Sequence, residues 1–200
     1  MDFEEMKSKL ISLGYEVSVF SSGKEAVEYL KEEIKGKTVG FGGSMTLEQL
    51  GMYDALSMDN EVYWHWRLPE GVSSEEMNKK EQTCQIFMCS VNGMSKNGEI
   101  INIDGTCNRI SGELYGHEKV YFVVGRNKIA ENFDEALYRA RNVAAPLNAK
   151  RLNKKTPCVM DLKCHDCKAP ERICNGLTVL WHKPSSGPYE IVLIDEDLGY

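Results

Sequence analysis

The sequence predicts an α/β protein in which helices layer against a mixed sheet. Three observations predict it. Helical and strand periodicities alternate along the chain, β–α–β–α–β in its first part. The apolar runs are short, the longest uninterrupted one being Val120 to Val124. Polar, glycine-containing turns join strand ends to helix starts, at Gly42-Gly43 and again at Gly105.

Phe3, Met6, Leu10 and Leu13 recur at helical spacing and predict an amphipathic helix over 2–13, ended by Gly14. Tyr15, Val17 and Val19 alternate with polar residues as a short strand. A second helix runs from Gly23 to Ile34, with Glu25 in its first turn and Gly36 closing it. Lys37 to Phe41 is a buried strand that enters Gly42-Gly43-Ser44-Met45-Thr46, where a helix begins at about Thr46. Residues 61–66 are a further strand, and Ser73 with Glu76 form a capping box opening a helix to Thr83. Ile86 to Val91 is a buried strand; Asn97-Gly98 is a hairpin turn, with Glu99 to Ile103 returning. A helix over Asn108 to Tyr115, the strand Lys119 to Gly125 and a helix over Asp134 to Ala145 follow. Pro146 opens a loop to about Asn175, and Thr178 to Trp181 and Glu190 to Ile194 close the sheet. The whole chain, 1–200, reads as one domain carrying a cysteine-rich segment at 156–175.

A formal net charge of -6 argues against a nucleic-acid partner, which calls for a basic patch or stripe. The acidic N-terminus lacks the basic start and apolar run of a signal peptide. No stretch approaches the roughly 20 apolar residues of a membrane span. The expected location is therefore the cytoplasm. Seven cysteines, an odd number in a reducing compartment, argue for ligands, reactive thiols or core residues rather than disulfides.

Four of them, Cys158, Cys164, Cys167 and Cys174, are spaced C-x5-C-x2-C-x6-C. The x2 pair lets two thiolates face one metal from a tight turn, and four thiolates complete tetrahedral zinc or a [4Fe-4S] cluster. One short pair with uneven outer spacings departs from a zinc ribbon and favours iron–sulfur, with zinc as the alternative. Cys84 and Cys89 sit in or beside apolar stretches and read as core residues.

Two turns are candidates for a small anionic ligand, a carboxylate or phosphate. In the first, Gly42 and Gly43 allow close backbone approach while Ser44 and Thr46 add hydroxyls at a helix start; a tight strand-to-helix connection capped by Thr46 is the competing reading. In the second, Asp104 is a candidate base, Arg109 a partner for an anion, and Thr106 and Asn108 are polar neighbours; the competing reading has Asp104 and Asn108 capping amides. A third polar stretch, Asn148, Lys150 and Arg151, follows Pro146.

Taken together these segments resemble the lactate-utilisation (LUD) domain family. The resemblance rests on Val39 to Gly51, Ser90-Val91-Asn92, Asn97 to Thr106, Asn108-Arg109, Val123 to Ile129, Ala144 to Leu152, Thr156-Pro157-Cys158 and Pro170 to Asn175. It implies a fold like that of ribose-5-phosphate isomerase, glucosamine-6-phosphate deaminase and the CoA transferases. It also implies a link to oxidation of L-lactate to pyruvate in a system using iron–sulfur clusters, with iron–sulfur oxidoreductase subunits as partners. By this resemblance the ligand site lies at Gly42, Gly43, Ser44 and Thr46, faced by Asp104 to Arg109; Lys150, from the third polar stretch, is a further ligand-binding candidate, with a solvated helix end as its competing reading. Cys107 departs from the pattern, where a small residue such as glycine is expected. Two other functions stand beside this one: a non-redox isomerase or lyase on a small anionic substrate, with Asp104 as base and a structural metal, and a zinc-bearing binding module.

Overall fold

The computed structural model describes residues 3–200. Asp2, expected to open the first helix, lies outside the described residues.

Six parallel strands form the main sheet: β1 (Glu16–Phe20), β10 (Tyr189–Ile194), β7 (Lys119–Gly125), β4 (Ile86–Cys89), β2 (Thr38–Phe41) and β3 (Glu61–Tyr63), in that spatial order. A parallel sheet buried on both faces needs apolar residues at both phases of the strand, and β4 and β7 supply them. Phe87, Cys89, Val120, Phe122 and Val124 face one core with Phe3, Met6 and Leu10 of α1 (Phe3–Ser12). Ile86, Met88, Tyr121 and Val123 face the other, with Leu30 of α2 (Gly23–Glu33), Leu47 of α3 (Met45–Gln49) and Met52 of α4 (Met52–Ser57). Cys84 and Cys89 are buried as expected. A smaller sheet, ordered β8 (Ile129–Ala130), β5 (Gly93–Ser95), β6 (Ile100–Asp104) and β9 (Gly176–Leu180), leans on the first. Here β5–β6 and β6–β9 are antiparallel and β5–β8 is parallel. The result is the layered α/β architecture with a mixed second sheet.

The chain leaves β2 outward to β3 at the edge, then returns on the other side of β2 to build β4, β7 and β10. The direction of winding therefore reverses between β2 and β4. In open parallel sheets such a reversal leaves a crevice beyond the carboxyl ends of the strands.

Several boundaries differ from expectation. The strand over 61–66 ends at Tyr63, and that over 86–91 ends at Cys89; short β5 and β8 and the helix α4 are additions. Ser44, not Thr46, caps α3, its hydroxyl accepting from Leu47 N–H at 3.2 Å. The capping box of Ser73 and Glu76 is present and opens α5 (Ser74–Glu81). The largest difference follows Pro146. The helix does not stop there: α7 (Phe133–Arg139) runs through a π-turn (Ala140–Ala144) into α8 (Ala145–Arg151). Proline lacks an N–H and clashes with the preceding turn. The π-turn, with Ala145 N–H reaching back to Ala140 O, resets the ladder so that Pro146 falls in the first turn of a new α-segment, where its missing donor costs little. A short α9 (Cys158–Asp161) follows.

Candidate functional site

A cavity of about 580 Å³ opens at the β2/β4 reversal. Gly43 and Ser44 follow β2, His65 and Trp66 follow β3, Ser90 to Asn92 follow β4 and Lys128 follows β7. Asp104 to Thr106 with Asn108 and Arg109 come from the β6 end and the start of α6 (Asn108–Leu114), and Asn148 and Arg151 from α8. The two turns singled out in the sequence thus meet in one cavity.

Within it, residues divide by whether their polar atoms are already engaged. Arg109 is buried and its guanidinium is held by protein: Nη1 donates to Ser90 O and Asn102 Oδ1, Nη2 donates to Asn92 Oδ1 and Ile103 O, and Nε lies 3.7 Å from Asp104 Oδ2. Its expected role as a direct anion partner gives way to that of a clamp joining the β4 and β6 ends. Gly42 is explained by the same residue, since a Cβ there would sit 2.6 Å from Arg109 Cγ. Asp104 Oδ1 accepts from Thr106 and Cys107 N–H, an Asx turn that shapes its loop. Thr46 is fully buried and donates to Leu198 O instead of lining the cavity. Lys150 is exposed and outside the lining; Asn148 and Arg151, three residues apart on one helix face, take the position expected of it. Cys107 adopts φ 66°, the left-handed region where a Cβ is disfavoured, which accounts for the glycine expected at this position.

Other groups are open to a ligand. His65 Nδ1 lies 2.8 Å from Glu81 Oε1, which also accepts from the His65 backbone N–H at 2.6 Å. A carboxylate oxygen there is an acceptor, so Nδ1 is the donor of this pair, and Nε2 lies on the Gly43 side. Glu81 is fully buried, so the ring is held from behind. Arg151 stacks on Trp66, 4.6 Å from the ring centroid. Lys128 is buried, donates to Val91 O at 3.2 Å, and is held well below the usual lysine range by burial and by the nearby Arg139 and Arg109 charges. Beneath the cavity, Asn102 joins Arg109 to the fully buried Glu113, which also accepts from Thr178. Burial raises Glu113 to about 7 against the pull of Arg109.

No sequence motif marks His65 or Lys128 as site residues. The available signal was position, each following a strand of what proves to be a parallel sheet.

A second cavity, about 300 Å³, is lined by all four of Cys158, Cys164, Cys167 and Cys174. Among the described residues no three Cys, His, Asp or Glu side chains are grouped as a metal-ion site, so the sulfurs share a cavity without meeting at a point. Their surroundings suit thiolates. Arg172 Nη2 donates to Cys174 Sγ at 3.2 Å and Arg141 Nη2 to Cys164 Sγ at 3.7 Å, while Asp166 N–H donates to Cys164 Sγ at 3.4 Å. Thr156 Oγ1 lies 3.2 Å from Cys158 Sγ. Four sulfurs around one cavity, with N–H groups and cations aimed at them, fit a thiolate-bound centre. Arg172 also ties the loop, donating to Cys167 O and Cys174 O. The two cavities share Ile103, Ala145, Arg172 and Ile173 as a common wall.

Comparison with known proteins agrees with this architecture. A crystal structure of a DUF162 family protein from Deinococcus radiodurans is similar in fold, with a TM-score of 0.52 at 12% identity, over 96% of this chain and 95% of that one. No curated protein matches significantly. No helix among the described residues is long and apolar enough to cross a membrane. A match to the LUD domain spans residues 3–194, and the chain accordingly belongs to the LUD domain family, a family associated with lactate utilisation.

Proposed function

We propose that this chain is an iron–sulfur component of the oxidation of a small 2-hydroxy acid such as L-lactate to its 2-oxo acid. The acid binds in the larger cavity, and Cys158, Cys164, Cys167 and Cys174 hold a [4Fe-4S] cluster in the smaller one. The observation that carries the reading is the shared wall of Ile103, Ala145, Arg172 and Ile173, with Arg172 also bonded to Cys174 Sγ. Four sulfurs around one zinc lie about 4 Å apart. The single x2 pair and uneven outer spacings of Cys158, Cys164, Cys167 and Cys174 support a cluster over zinc.

When bound, the cluster would relay electrons one at a time to a partner iron–sulfur oxidoreductase subunit, and that subunit would have to take up both electrons and the Cα hydrogen. The chain's own residues bind and orient the acid. Arg151 and Lys154 line the cavity and supply positive charge for the carboxylate. The oriented His65 Nε2 accepts the hydroxyl proton, and the buried Glu81 steadies the resulting imidazolium. Asp104, Thr106 and Asn108 shape the opposing loop.

A non-redox isomerase or lyase with a structural metal is the second reading. It is favoured by the His65–Glu81 pair, whose proton transfer requires no electron acceptor. The test is anaerobic purification followed by iron, sulfide and zinc analysis and visible spectroscopy, with L-lactate binding measured by calorimetry. Brown protein with about four irons per chain that binds L-lactate supports the proposal. Colourless protein with one zinc overturns the cluster and leaves the second reading.

A further inference from the structure

Lys128 ends a single 3₁₀ turn (Arg126–Lys128) that leaves β7 at its carboxyl end. Its side chain lines the larger cavity although the residue is only 4% exposed. The C-terminal segment covers it: a Cβ at Gly199 would stand 3.1 Å from Lys128 Nζ. The charged groups acting on it are Arg139 and Arg109, both cations, and no carboxylate among the described residues pairs with it. A buried structural lysine is ordinarily paired with an acid. Here the amine is buried, donates to Val91 O, has no acid partner and belongs to a residue lining a polar cavity, an environment that favours the neutral, nucleophilic amine.

We propose that Lys128 forms an imine with a 2-oxo acid in the larger cavity. The inference rests on the reading of that cavity as a small-carboxylate site and is independent of the cysteine centre. The Nζ lone pair attacks the carbonyl carbon and a C–N bond forms. The carbonyl oxygen takes up two protons, counted from the amine, and leaves as water as the C=N bond closes. Nothing is oxidised or reduced, and addition of water reverses the step. The 2-oxo acid is the oxidation product of the 2-hydroxy acid, so the amine would retain product, or admit a 2-oxo acid as a substrate in its own right. A 2-hydroxy acid has no carbonyl beside its carboxylate and would bind without the covalent step.

The experiment is reductive trapping. The full-length protein is incubated with pyruvate and sodium borohydride, then analysed by intact mass and peptide mapping, with pyruvate and L-lactate binding measured in parallel by calorimetry. One adduct per chain, mapped to Lys128 and suppressed by excess L-lactate, is expected. Lys128→Arg, and Lys128→Met as a second variant, should lose it. The mapping is made on the wild-type chain and stands whether or not either variant folds. Pyruvate binding without an adduct, or labelling scattered over exposed lysines and unchanged in the variants, overturns the imine and leaves the carboxylate site standing. Absence of binding by both acids overturns the carboxylate site and the imine with it.

Discussion

Arg109 and Glu113 show how a residue's partners decide its part. The sequence reads Arg109 as a cation facing an anion, but four protein acceptors already hold its guanidinium. Removing it takes one donor from each of Ser90 O, Asn102 Oδ1, Asn92 Oδ1 and Ile103 O, leaves a void, and removes the cation facing Asp104. Arg109→Ala should therefore cost about 3–5 kcal/mol of stability in urea unfolding, the scale of breaking a buried charged network. Loss of ligand affinity with unchanged stability would show that the residue meets the ligand instead. Glu113 makes a pH prediction of definite sign. Its carboxyl is raised to about 7 by burial, so between its ordinary value of 4.5 and about 7 the folded state holds a proton that the unfolded state has released. Stability from this group is complete below 4.5 and is lost as pH rises through 7, by about 3 kcal/mol at most. Glu113→Gln should flatten that part of the stability–pH curve. An unchanged slope would place the pH dependence elsewhere. Neither role is legible in the sequence, because both depend on Asn102, a β6 residue six positions before the helix α6 that carries both side chains, joining the two in space.

At the scale of elements, the alternation of strands and helices was legible because periodicity follows from burial, and β2, β4, β7 and β10 all fall where apolar runs put them. The segment after Pro146 was not, since a proline reads as a stop unless the preceding turn is wider than α. That one π-turn decides much of the site. Arg141 and Asn142 within it reach Cys164, through its sulfur and its N–H, while Asn148 and Arg151 beyond it line the larger cavity. Each helical residue advances the face by about 100°. Deleting Val143 should restore α-geometry, turn Asn148 and Arg151 off the cavity, and weaken L-lactate binding more than it lowers the melting temperature. Equal binding in the deletion variant would mean that α8 does not contribute to the ligand site. The cysteine segment makes a complementary case. Beyond α9 it is held by side-chain bonds to backbone, such as Lys155 N–H to Glu171 and Arg172 to Cys167 O, and by its sulfurs. Cys167→Ser should raise hydrogen exchange over 156–175 and leave β4, β7 and β10 protected. Exchange spreading through the main sheet would show that the segment supports the fold as a whole.

Across the whole molecule, the winding reversal between β2 and β4 opens the larger cavity, and the smaller sheet with the α7–α8 helix sets the cysteine cavity against it. The cysteine spacing and the two polar turns are visible in the sequence; their adjacency is not, because a wall of Ile103, Ala145, Arg172 and Ile173 draws on three separate stretches of the chain. That adjacency has a thermodynamic consequence if the smaller cavity holds a cluster. An anion entering the larger cavity brings negative charge near Arg172, which lines both cavities and donates to Cys174 Sγ. Negative charge favours the oxidised, less negative cluster, so saturating L-lactate should lower its midpoint potential. Linkage then requires the reverse: reduction must weaken L-lactate binding by the same factor. A tenfold change in affinity corresponds to about 59 mV for a one-electron couple. Spectroelectrochemical titration with and without L-lactate, set beside calorimetry on oxidised and reduced protein, measures both sides of this cycle. Equal potentials in the two titrations, with L-lactate bound in both, would show that the shared wall separates the cavities electrically as well as sterically, and that the acid does not deliver its electrons across it.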